Sequence, residues 1–112
     1  MQAISMGLIR VPTPGTPVQI TTNRSLMVMQ IMVRTVPGFT GKTYLGVAGM
    51  NRAASAMPGV IRVLSEPAAA GPQDGEILPA ENGGQGNVIC PADFWVDADV
   101  ANEGVVVTCF VG

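Results

Sequence analysis

The chain has 112 residues, enough for one hydrophobic core and too few for two domains of ordinary size. Charged residues make up 12% and apolar ones 47%, about half the charge of an ordinary soluble domain, so part of the surface is expected to be covered by something other than water. The net charge of −2 joins six basic residues, all within the first 62 positions, to eight acidic ones that all come later, and the basic residues stand singly, which excludes the clustered footprint of a nucleic-acid binder.

Turn residues punctuate the sequence, and the elements between them read as short strands. Ile4 to Val11 is the first, stopped by Pro12-Thr13-Pro14-Gly15-Thr16-Pro17, where prolines remove ladder donors. Val18 to Thr22 is the second. Leu26 to Val36 is the longest strand, and period-two alternation places Met27, Met29, Ile31, Val33 and Thr35 on its mostly apolar face. Leu26 to Val33 is far short of the roughly 20 residues needed to span a bilayer, so no membrane is expected. The N-terminal Met1 to Met6 has no basic residue ahead of its apolar part and is not read as a secretory signal.

The stretch Pro37 to Gly46 contains Gly41-Lys42-Thr43, the end of a phosphate-binding loop. The full motif requires glycine where Val36 stands, and a helix afterwards. Lys42 to Ala48 reads as a strand instead, so Pro37 to Gly41 is expected to be a hairpin turn with Lys42 leaving it as a solvated charge. Residues 49–56 have room for one helical turn before Pro58-Gly59, and Val60 to Leu64 is another strand. Residues 65–86 are rich in Pro, Gly, Ala and acids around Ile77-Leu78-Pro79, and read as a long loop, as two loops around a short strand, or as a mobile arm that orders on a partner. Val88 to Cys90, Phe94 to Ala98 and Val105 to Val111 complete about eight antiparallel strands in a single domain spanning 1–112. The fold class is all-β, a β-sandwich, and within that class a jelly roll.

The last strand is apolar on both sides: Val105, Val107, Cys109 and Val111 on one face, Val106 and Phe110 on the other. Such a strand is buried twice, by its own fold and by a partner. Phe94 and Trp95 fall on opposite faces of their strand, so one of them points away from the core. Aromatic enrichment at contact centres makes the outward one a contact residue. The candidate interface is therefore Trp95, Phe110, Val106, Ile77 and Leu78.

No catalytic residue is expected, because the chain has no histidine and its serines lack a neighbouring base. No cofactor is expected either. Asp97, Asp99 and Glu103 resemble alternate oxygens of a calcium loop, but the pattern fails at Ala101, a ligand position, and at Asn102, where glycine belongs. Asn102-Glu103-Gly104 reads as a turn into the last strand. Cys90 and Cys109 lie in apolar strands and are read as reduced core thiols, pairing being the alternative. The split of charge allows three arrangements: pairing within the fold, opposite surfaces meeting in neighbouring copies, or plain solvation.

Three stretches, GLIRVPTPGTPVQITTN, PGFTGKTYLGVAGMN and FWVDADVANEGVVVTCFV, resemble small virion proteins of tailed bacteriophages. The resemblance implies a structural role, that of a decoration or cement protein that binds the outer capsid surface and stabilises the head by bridging major capsid protein subunits. It implies synthesis in the host cytoplasm and a final place on the virion exterior, while the low charge, the doubly apolar last strand and the segregated charges lead to a homodimer or homotrimer as the expected working unit. A tail, fibre or receptor-binding module that grips carbohydrate is the alternative, and the resemblance carries over no catalytic residue.

Overall fold

A computed structural model describes residues 2–64, the backbone of 75–79 and residues 88–111. Eight strands follow in chain order: β1 (Gln2–Val11), β2 (Val18–Gln19), β3 (Gln30–Arg34), β4 (Thr43–Val47), β5 (Val60–Leu64), β6 (Gly75–Pro79), β7 (Phe94–Ala98) and β8 (Glu103–Val111). A single 3-10 turn at Pro91–Asp93 is the only helical element among the described residues. The strands make two antiparallel four-stranded sheets, ordered β1-β8-β3-β6 and β2-β7-β4-β5. The all-β expectation holds.

The core lies between the sheets. Val11, Ile31, Val33, Leu45, Val96 and Val107 are fully buried there, each removing apolar surface worth about 1.5–3 kcal/mol from water. Strand β8 shows the alternation read from the sequence, with Val105, Val107 and Cys109 inside and Val106, Thr108 and Phe110 half-buried on the outer face. Both cysteines are free and buried, and burial raises the Cys109 thiol above its ordinary value. Neither thiol is expected to react with a disulfide reagent in the folded protein, and reductant should leave the melting temperature unchanged. Rapid labelling of both without unfolding would contradict this packing.

Three readings of the sequence are corrected. The turn at 37–41 does not close a hairpin: β3 and β4 belong to different sheets, so this segment crosses from one to the other. Glu103 redirects it, accepting hydrogen bonds from the backbone N–H groups of Thr40 (2.9 Å) and Gly41 (2.9 Å) from across the sandwich. The inner face of the third strand is also out of phase at its start. Val28 is buried and bridged to Ile89, whereas Met27 and Met29 are exposed. A bend at Met29 shifts the alternation by one residue before Ile31 and Val33 turn inward. Residues 49–56 form turns and no helix, because Asn51 Oδ1 accepts from the N–H groups of Ala53 and Ala54 and competes with helical pairing.

Those turns fold over the outside of the second sheet. Gly46 of β4 has no room for a side chain, since a Cβ there would meet the Gly59 carbonyl and the Met50 sulfur. Met50 is consequently buried, and β4 is covered on both faces along most of its length. The long loop or arm expected at 65–86 lies outside the described residues, apart from the backbone of β6.

Candidate functional site

The five residues picked out in the sequence do not form one surface. Phe94 packs against the core, so Trp95 is the outward residue of β7, half-buried and opposite Gln19 and Gly46 on the second sheet. Val106 and Phe110 are on the outer face of the first sheet. The backbone of β6 places Ile77 opposite Met32 and Leu78 opposite Ile31 on that same sheet; their side chains lie outside the described residues.

On the outer face of the first sheet, Leu8 stands opposite Val106, and Phe110 stands between Ala3 and Gln30. Met32 is the next outward residue of β3, opposite Thr108. Gln30 stands beside Phe110 on this face, and past the strand end the Met29 N–H donates to the Phe110 carbonyl at 2.7 Å. There Met27, Met29 and Val88 are 48%, 39% and 49% exposed. Val28 and Ile89 exchange two backbone hydrogen bonds, which fixes this pair of segments and holds Met29 and Val88 to the outside. Soft methionine side chains beside a phenylalanine make an adaptable apolar contact surface. The sequence reading missed Met27 and Met29 as surface residues because strict alternation placed them in the core.

A second constellation sits outside the other sheet. Asp97 is 1% exposed although it points away from the core, because the 12–17 loop and Arg52 close over it. Its Oδ1 accepts from the N–H of Gly15 (3.0 Å) and of Ala98 (2.8 Å), and its Oδ2 lies 3.4 Å from Arg52 Nε. Arg52 also donates to Asp99 at 2.8 Å, and its guanidinium stands over the Tyr44 ring. The Tyr44 hydroxyl donates to the same Asp99 oxygen at 2.9 Å. Burial, this hydrogen bond and the Asp99 charge push the Tyr44 phenol above its ordinary value, against a smaller opposing effect of Arg52.

The three carboxylates weighed as calcium ligands are thus committed elsewhere: Asp97 and Asp99 to Arg52, Glu103 to backbone N–H groups. The charge split has its explanation here too. Arg24–Asp93, Arg52–Asp97 and Arg52–Asp99 each join an early base to a late acid, so the two halves pair within the fold. Lys42 is exposed, and the strand rather than a helix that follows it rules out a phosphate-binding loop.

No family model, curated protein or solved structure matches the chain.

Proposed function

We propose that this chain is a non-catalytic bacteriophage capsid decoration protein with a jelly-roll fold. It is made in the host cytoplasm and binds the outside of the assembled head, where it bridges major capsid protein subunits. The observation that carries the reading is the exposure of the apolar Met27, Met29 and Val88 at the end of the sheet whose outer face holds the half-buried Val106 and Phe110. A water-soluble chain with so few charges gains most by covering such a surface with protein.

The jelly roll is supported by the strand partners: β1 with β8, β2 with β7, β3 with β6 and β4 with β5. Laying the first half of a chain antiparallel on the second, then wrapping the ribbon into two sheets, produces those four pairs. On a pressurised shell such a unit resists separation of neighbouring subunits, because parting them re-exposes the cement contact. Area burial at about 25 cal/mol per Å² supplies the attraction. Ion pairs at an exposed rim add only about 0–1 kcal/mol each and are screened by salt.

The protein is expected to co-sediment with expanded capsids in hundreds of copies per particle and to stay bound as salt is raised. Phe110→Ala and Met29→Lys should each weaken that binding about tenfold or more while leaving the fold intact. A handful of copies per particle would place the protein in the tail, and release at moderate salt would show that charge, not apolar contact, holds it.

A further inference from the structure

Strand β1 forms one edge of its sheet, and among the described residues nothing pairs with its other side. It is the longest strand of the fold, and from Gln2 to Ile9 it contains no proline and no charge. A strand of that kind presents unpaired N–H and C=O groups, the Gly7 N–H being taken by Ser5 Oγ, and of the usual guards against further pairing it has a bulge and a terminal Arg10 but no Lys, no Pro and no short length. The other edges differ: β6 has five residues, with Glu76 in it and Pro79 at its end, β2 has two residues, and β5 has five with Arg62 in its middle.

The side-chain pattern of β1 identifies what fits it. Register with β8 breaks once, between Ser5 and Gly7, where Gly7 takes a φ of 77° and Met6 is the extra residue. Ahead of that bulge the inward position is Ile4 and the outward ones are Ala3 and Ser5; beyond it Gly7 and Ile9 are inward and Leu8 and Arg10 outward. The bulge therefore reverses parity halfway along the strand. An antiparallel copy of the same strand, centred between Met6 and Gly7, meets it with faces matched throughout: Ile4 with Ile9, Ser5 with Leu8, Ala3 with Arg10, Gln2 with Val11. Every one of these pairs occurs twice around the two-fold axis.

We infer that β1 pairs with β1 of a second copy, so that two chains share one continuous eight-stranded sheet. A two-fold perpendicular to the sheet keeps both outer faces on the same side, and both Phe110 patches then face one partner surface. This specifies the self-association expected of a decoration protein but stands apart from the capsid reading, because it is tested on the isolated chain in solution.

Sedimentation equilibrium of the free protein up to about 1 mM should show a dimer. Ala3→Lys sets a second positive charge against Arg10 of the other copy, twice per dimer, and should raise the dissociation constant about tenfold. Ala3→Glu, opposite the same arginine, should leave it unchanged or lower it. Ala3 is exposed, so neither substitution disturbs the core, and the fluorescence of Trp95 reports an intact fold. Backbone amides of β1 should exchange more slowly as concentration rises. A monomer throughout the range overturns the proposal. So does a dimer that responds alike to both substitutions, or one that leaves β1 exchange independent of concentration.

Discussion

Gly104→Ala is expected to lower the stability of this protein by about 2–3 kcal/mol, because among the described glycines it is the one whose added Cβ would lie nearest to backbone. Gly104 is buried in β8 opposite Arg10, and a Cβ there would overlap the Ile9 carbonyl and stand 3.1 Å from the Arg10 Cα. The atoms in the way are backbone, so rotating a side chain gives no relief. Strand β1 must move, and moving it loosens the contact of Ile9 with the core and the burial of Val11. A thermal melt followed by circular dichroism should shift down by about 10 °C or more. A midpoint within about 2 °C of the native protein would show that β1 sits further from β8 than described. Because β1 also carries the edge inferred to hold two copies together, the same variant should dissociate the dimer.

The second large effect is expected at Asp97. Replacement by alanine removes the acceptor for the Gly15 N–H and takes away the buried carboxylate 3.4 Å from Arg52 Nε. Losing one partner of a buried pair is destabilising by about 3–5 kcal/mol when the remaining charge is fully enclosed. Arg52 retains Asp99 and some solvent, so about 2–3 kcal/mol is expected here. Urea denaturation of Asp97→Ala, Arg52→Met and the double variant separates the contributions: the double variant should be more stable than the sum of the two losses implies. Additive losses would mean that the carboxylate acts only through the 12–17 loop. Asp97→Asn keeps an oxygen for Gly15 and loses the charge, so it should fall between the native protein and Asp97→Ala.

These expectations rest on features of unequal legibility. Period-two alternation in Val105 to Val111, breaks at proline and glycine, and the absence of helical periodicity were enough to establish an all-β chain and to assign β8 its inner and outer faces, because a strand's side chains alternate whatever its neighbours are. The same local rule failed at Met27 and Met29, where a bend set by the Val28–Ile89 bridge shifted the phase. It also failed to distinguish a hairpin from a crossover at 37–41, since both need the same turn residues, and the choice was made by Glu103, more than sixty residues away. The separation of bases from acids along the chain was equally compatible with pairing within the fold, between copies, or with solvent alone. Only the folded arrangement paired Arg52 with Asp97 and Asp99, because such contacts depend on which strands become neighbours and not on spacing in sequence. Likewise composition announced a surplus of apolar surface, while its division into a Trp95 side and a Phe110 side was decided by the assignment of β7 and β8 to different sheets.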